Sequence, residues 1–365
     1  MKKYTKLIIF MVALLTTSTF FIPKVNASEL NFSVEPIIPA NQRDQKKTYF
    51  DLKMEAGASQ TIEINLRNDT KNDVIIQPRV NSALTNIKGV VEYGELPEKQ
   101  DSTLIHNLND IVTVADEVIV PAESHVRLPL TIDMPKEEFD GILAGGITLQ
   151  EKQTATDTNK KDEQGLSIQN RYAYVVALVL NENDNEIVPE LELNEIAAAQ
   201  VNARNVINAN LQNITAMYVN QLSVNAKITR QGQSEVLYKS TSEGMQMAPN
   251  SNFNYPISLD GAKLEAGKYT LEMTAESKGK TWHWKENFTI DGETANKLNK
   301  TDVTIENNSN WIYILIGVSL ILVALILWFI LWKRKKKKEE EARKKELAAR
   351  KRKKKKSVKT EKSNL

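Results

Sequence analysis

Thr61-Ile62-Glu63-Ile64-Asn65-Leu66-Arg67 carries an apolar side chain at every second position. Side chains alternate between the two faces of a strand, so Ile62, Ile64 and Leu66 share one face and Glu63, Asn65 and Arg67 the other. A helix, with its period of 3.6, cannot bury that set on one side. Val126, Leu128, Leu130 and Ile132 repeat the pattern further on. Behind the first run comes Asn68-Asp69-Thr70-Lys71-Asn72-Asp73, whose short polar side chains bond their own backbone and favour a turn. Short alternating runs separated by such turns predict an all-β ectodomain of two immunoglobulin-like β-sandwiches in tandem.

The first sandwich is placed at residues 28–183. It opens on Leu30-Asn31-Phe32-Ser33-Val34 and runs through Val74–Val80 and Val118–Pro121 to Ile142–Gln150. Residues 153–165 are polar and free of aromatics, which fits either a domain linker or a flexible hairpin tip. The tip is preferred, because Tyr172–Leu180 is apolar on both faces and needs burial in an existing sheet. The turn cluster Asn181-Glu182-Asn183-Asp184-Asn185 then marks the boundary. The second sandwich, residues 186–292, is expected to hold seven strands, and residues 293–310 a polar stalk.

Both ends of the chain read as membrane-directed. Lys2, Lys3 and Lys6 precede the apolar stretch Leu7–Leu15, and Val25-Asn26-Ala27 supplies small residues for cleavage, so residues 1–27 are read as a signal peptide rather than an uncleaved anchor. Residues 311–332 contain no charge and no proline. At a rise of about 1.5 Å per residue they reach about 33 Å, enough to span a bilayer, and a core helix would not be apolar on every face. Residues 333–365 follow as a basic tail with 18 Lys+Arg against five Glu, read as a juxtamembrane helix with a disordered end that is attracted to anionic lipid. Positive charge flanking a span stays in the cytoplasm, so residues 28–310 are expected outside.

The formal charge of +2 hides this division. The leader carries four lysines and the tail a surplus of thirteen, which leaves residues 28–310 at −15. The ectodomain is therefore acidic, and nucleic acid is not an expected partner. No cysteine excludes disulfides, thiolate metal sites and cysteine nucleophiles, and three histidines make a multi-histidine metal site improbable. An exported body without cysteine suits a Gram-positive surface. N-x-S/T triplets such as Asn68-Asp69-Thr70 are then chance matches rather than glycan sites.

No Walker loop, dinucleotide glycine pattern, HExxH or GxSxG is present, and no carboxylate pair is set apart by its context. No cofactor, metal or catalytic residue is expected. Gly145-Gly146 fits a close strand approach. Trp282-His283-Trp284 stands out. On a strand both indoles face one way and the imidazole the other. The pair is either sandwich core or an exposed platform, and these three residues are the partner-binding candidates.

With these residues in place, the chain resembles the WxL-interacting proteins of Gram-positive bacteria. The resemblance rests on Phe32-Ser33-Val34, Pro39-Ala40-Asn41-Gln42 and Thr48-Tyr49-Phe50-Asp51-Leu52. It continues through Thr85-Asn86 with Gly89 and Tyr93, Asp133-Met134-Pro135 and Phe139–Ile147. In the second unit it rests on Asn170–Tyr174, Met247-Ala248-Pro249-Asn250-Ser251 and Trp282-His283-Trp284. It implies a non-enzymatic surface protein with a peptidoglycan-binding-like and a host-binding-like module, anchored in the cell membrane and partnered by a secreted WxL-domain protein. The implied role is an adaptor that holds such proteins at the wall. A direct adhesin for host matrix protein is the alternative, and a one-pass sensor and an enzyme stand behind it. An acidic body would meet anionic wall polymers with repulsion, so wall contact must use local patches, neutral glycan or a partner.

Overall fold

The computed structural model describes residues 31–94, 100–152, 172–305 and 310–361. The signal segment 1–27 and the hairpin tip 153–165 lie outside the described residues.

Eleven strands and one short helix precede residue 182: β1 (Ser33–Ile37), β2 (Phe50–Lys53), β3 (Ser59–Asn68), β4 (Val74–Ser82), β5 (Leu84–Thr85), β6 (Val91–Glu92), α1 (Leu108–Ile111), β7 (Val112–Thr113), β8 (Val118–Val120), β9 (Ser124–Asp133), β10 (Leu143–Glu151) and β11 (Ala173–Asn181). Sheet I has the order β1-β3-β9-β7 and sheet II the order β2-β11-β10-β4-β8, while β5 and β6 form a separate small hairpin. Ile62, Ile64 and Leu66 of β3 and Leu128, Leu130 and Ile132 of β9 point into the space between these sheets, where they meet Phe50, Leu52, Ile76, Leu149 and Leu178. Strand β11 pairs antiparallel with β10 and parallel with β2. Its inward residues Val176, Leu178 and Leu180 are buried in this core.

Seven further strands follow: β12 (Leu191–Val201), β13 (Arg204–Asn213), β14 (Val219–Arg230), β15 (Val236–Met247), β16 (Ser251–Ser258), β17 (Gly267–Ser277) and β18 (Lys280–Ile290). Sheet III runs β12-β13-β16 and sheet IV β15-β14-β17-β18. They enclose a second core that includes Leu211, Val224, Ile228, Tyr255, Tyr269, Leu271 and Met273.

The two sheet pairs share a turn device. Asn68 ends β3, is fully buried, and donates from Nδ2 to the carbonyls of Asn72, Val120 and Pro121, while its Oδ1 accepts from Thr70. Asn213 ends β13 and does the same: Nδ2 donates to Met217 and Ala248 carbonyls, and Oδ1 accepts from Thr215. These two N-x-T triplets are thus buried clamps, which leaves the Asn68 and Asn213 amides inaccessible to modification.

The polar stalk expected over residues 293–310 is corrected for its first part. Helix α2 (Gly292–Thr301) is folded onto the second core. Asp291 caps it by accepting from Thr294 N, Ala295 is buried, and Leu298 packs beside it. Asn299 bonds to Leu264 in both directions, and Asp302 accepts from the Asn205 backbone. The single apolar turn at Ala295 and Leu298 decides this, since it has a core to cover.

Residues 303–365 form a separate unit. It contains α3 (Asn310–Glu361), within which Tyr313–Lys345 includes a segment long and apolar enough to cross a membrane. The helix continues to Glu361 where a disordered end was expected; Lys, Arg, Glu and Ala are all good helix formers.

Candidate functional site

The first and second sheet pairs meet at a built junction. Ala83, Ile142, Ala144 and Ala248 form a buried cluster, with Val91, Tyr93, Val179 and Tyr218 packed against it. Small side chains let the backbones approach. Gly141 has φ +88°, in the left-handed region that favours glycine, and a Cβ there would lie 2.3 Å from the Ala216 carbonyl. The Ile142 amide donates to that same carbonyl at 2.8 Å. From the β5–β6 hairpin, Thr85 Oγ1 meets Ser251 Oγ at 2.7 Å and accepts from Ala248 N at 3.0 Å, and the Gly89 carbonyl accepts from Gln246 N at 2.8 Å. Buried, paired polar groups of this kind fix one geometry, because a shifted alternative leaves them unpaired.

A third contact comes from the segment before α1. Asp101 Oδ1 accepts from Gln212 Nε2 at 2.8 Å and Oδ2 from Asn252 Nδ2 at 2.7 Å. Partial burial pushes the Asp101 carboxyl up, but hydrogen bonds from Asn252, Thr103 and Gln212 outweigh it and hold the group below the ordinary carboxylate value. The ionised form is thus favoured in the folded state. Its contribution is present above the ordinary pKa of 3.8 and is lost as pH falls through the lowered folded value. We expect Asp101→Asn at pH 7 to lower the melting temperature by a few degrees, and wild type to approach the variant only below about pH 4, as read by thermal scans across pH.

The outward face of sheet II leads into this junction. Outward residues of β11 are Ala173, Val175, Ala177 and Val179, and their partners on β10 are Gln150, Thr148, Gly146 and Ala144. Gly146 leaves room for Tyr93: a Cβ there would sit 2.9 Å from the Tyr93 ring and 3.0 Å from Val175. Tyr93 is hydrogen-bonded to Tyr218, whose phenol is pushed up by burial and by its neighbours Tyr93, Tyr49 and Asp51. Lys47 pairs with Asp51 at 2.5 Å and lies 5.3 Å over the Tyr49 ring. A tyrosine-walled corner with a floor of small residues results. Beyond it the apolar strip continues into water, with Val175 48% exposed and Tyr172 45%.

Trp282 and Trp284 face the second core from β18, opposite Ala275 and Met273. Trp282 is 7% exposed, donates from Nε1 to Glu190 at 2.7 Å, and carries Lys280 Nζ 5.1 Å above its ring. Trp284 is half-buried. His283 points outward, with Nδ1 3.1 Å from Thr274 Oγ1. A platform of two exposed indoles is therefore not formed, because the first indole is core; His283 is the exposed member of the three. No group of three or more His, Asp or Glu among the described residues could hold a metal.

Two family models match this chain. The WxL Interacting Protein peptidoglycan binding domain matches residues 32–151, and the WxL Interacting Protein host binding domain matches residues 163–300. The chain belongs to the WxL Interacting Protein family. Both models describe binding domains, and neither is an enzyme family. No curated protein matches the chain. Solved structures that are similar to it include the CsuC–CsuE chaperone–tip adhesion subunit complex of Acinetobacter baumannii (14% identity, 70% of this chain and 98% of that one, TM-score 0.30). Another is the Salmonella enterica SafA pilin with the SafB chaperone (11% identity, 72% and 99%, TM-score 0.28). Likeness at that level says nothing about what this chain binds.

Some of the residues that carried the family resemblance lie where the modules touch. Thr85, Gly89, Tyr93, Gly141 and Ala144 come from the peptidoglycan-binding match, and Met247, Ala248, Asn250 and Ser251 from the host-binding match. Asn250 Nδ2 reaches Thr103 Oγ1 at 3.2 Å, which adds to the same seam. The two matches and the sheets divide the chain differently: β11 lies inside the host-binding match yet hydrogen-bonds into sheet II.

Proposed function

We propose that this family member, which carries a peptidoglycan-binding and a host-binding domain and one helix able to serve as a membrane anchor, acts as a cell-surface adaptor. The ectodomain stands outside, the basic tail inside, and the body holds a secreted WxL-domain protein at the cell wall. The observation that supports this reading is the junction. Two binding modules are joined through buried hydrogen bonds and a shared apolar cluster, so a partner gripped by one is held at a set position relative to the other. The acidic body should speed encounter with a basic partner and lose that advantage as salt rises. Immobilising the full chain in lipid nanodiscs and titrating a purified WxL-domain protein tests it. Saturable binding with slower association at high salt is expected; binding to host matrix protein but to no WxL-domain protein favours the adhesin reading instead.

We also propose that the first module ends near Asn183, with β11 as its own strand. A chain truncated after Glu151 would expose the β10 edge and the Leu149–Leu178 core, and is expected to aggregate in size-exclusion chromatography, while one ending at Asn183 stays monomeric. A monomeric, cooperatively melting shorter chain would place the boundary before β11.

A further inference from the structure

Strand β15 is the last strand of sheet IV and has a neighbour, β14, on one side only. An edge strand presents unpaired N–H and C=O groups along its free side. The β5–β6 hairpin covers one end of this edge, where the Gly89 carbonyl accepts from Gln246 N. Before that point, among the described residues, the edge is open, and a Cβ at Gly244 would meet nothing within 4 Å. Pairing with β14 is regular from Tyr238 to Ser242 and steps at Leu237 and at Glu243-Gly244. The outward side chains Lys239, Thr241 and Glu243 are all exposed. Among the described residues neither Lys239 nor Glu243 makes an ion pair.

The register runs a row of charge across the outward face of sheet IV. Lys285 of β18 opposes Glu272 of β17, Glu272 opposes Lys227 of β14, and Lys227 opposes Lys239 of β15. Signs alternate until the edge, where two lysines stand side by side, an unfavourable pair. A carboxylate on the free side of Lys239 would restore the alternation. An edge lysine ordinarily turns a second strand away. Here the strand carries the missing acid itself, four residues further on. A second copy of β15 running antiparallel, with Thr241 opposite Thr241, sets Lys239 of each copy against Glu243 of the other and Ser240 against Ser242. Opposite charges and paired threonines are both favourable across strands. Other registers lose this match. A dyad at Ser240 sets Leu237 against Glu243, and one at Lys239 sets that lysine against itself. Residues 28–310 sum to −15, which opposes a general association of two bodies, so the contact rests on this local match.

We propose that the open edge of β15 binds a second copy of this chain, in an antiparallel ladder centred on Thr241 that joins two copies of sheet IV into one sheet. The inference does not depend on the adaptor reading. The chain has no cysteine, so a single introduced thiol reports alone. Opposed Cα atoms of an antiparallel pair lie about 4.5–5.5 Å apart, within the range of a disulfide. Full chain carrying Thr241→Cys, reconstituted in liposomes and oxidised, should give a covalent dimer. Thr274→Cys, on the interior strand β17, should not. Adding Lys239→Glu or Glu243→Lys to Thr241→Cys should slow crosslinking about fivefold or more, since each sets two like-charge pairs where the dyad sets two opposite ones. The double exchange should restore it. Lys239→Glu should not lower the melting temperature, because the new acid faces Lys227, so its slower crosslinking does not report unfolding. The proposal is overturned if Thr241→Cys crosslinks no faster than Thr274→Cys, or if the double exchange stays as slow as the single ones. It is overturned in favour of a partner strand if the copies stay single while a WxL-domain protein shields the introduced thiol from maleimide.

Discussion

Gly145→Ala is expected to lower the stability of the first sheet pair by about 3 kcal/mol, the upper range for forcing an atom into a packed core. Gly145 lies in the middle of sheet II, on β10 opposite Ser82 of β4. A Cβ there would lie 2.2 Å from the Asn81 carbonyl oxygen, 2.3 Å from Leu108 Cδ1 and 3.0 Å from Ser82 Cα. Two of those atoms are backbone of the adjacent strand and cannot retreat without breaking the ladder. The third is the buried side chain of α1, held in place because Ser82 Oγ accepts from Leu108 N and donates to Asn107 Oδ1. A melting temperature lower by roughly 6–12 °C is expected for a body of this size. Gly94→Ala is the control, since nothing lies within 4 Å of its Cβ position. Equal melting of Gly145→Ala and Gly94→Ala would contradict the packing.

Trp282→Ala is expected to cost about 3–5 kcal/mol, as removal of a buried indole does. Its ring fills the second core beside Leu191 and Ala275, and its loss also leaves Glu190 with one donor fewer. Trp284→Ala should cost clearly less, because that indole is half-buried, and His283→Ala should leave stability unchanged. Urea unfolding of the three variants gives the order directly. A Trp282→Ala chain as stable as wild type, but weaker in partner binding, would restore the platform reading of this pair.

Much of the fold was legible locally. The alternation at Thr61–Arg67 and Val126–Ile132 places β3 and β9, and the two-faced apolar character of Tyr172–Leu180 is explained by what covers each side of β11: the first core inside, and Tyr93 with Tyr218 over part of the outside. Gly145-Gly146 was legible as a close approach, but its two faces were not. Gly145 yields to Leu108 within the core and Gly146 to Tyr93 on the surface. Helix α2 carried a readable signal that composition masks. Asp291 stands at the capping position, and Ala295 and Leu298 are spaced to share a face, but eight of its ten residues are otherwise polar or glycine. The junction had no local signal at all. Thr85 and Ser251 lie 166 residues apart, Asp101 and Asn252 151 apart, and no periodicity within one strand encodes such a pairing. The charge row of sheet IV was equally hidden, because Lys227, Lys239, Glu272 and Lys285 become neighbours only when the register sets their strands side by side.

The adaptor reading is tested most directly in cells, by the partition of a WxL-domain protein between the wall fraction and the culture medium. In cells that make the chain, the WxL-domain protein should stay with the wall. In cells that lack it, or that make it without residues 311–365, most of the WxL-domain protein should appear in the medium, and expression of the full chain should return it. Unchanged wall retention in all three cases would contradict the account.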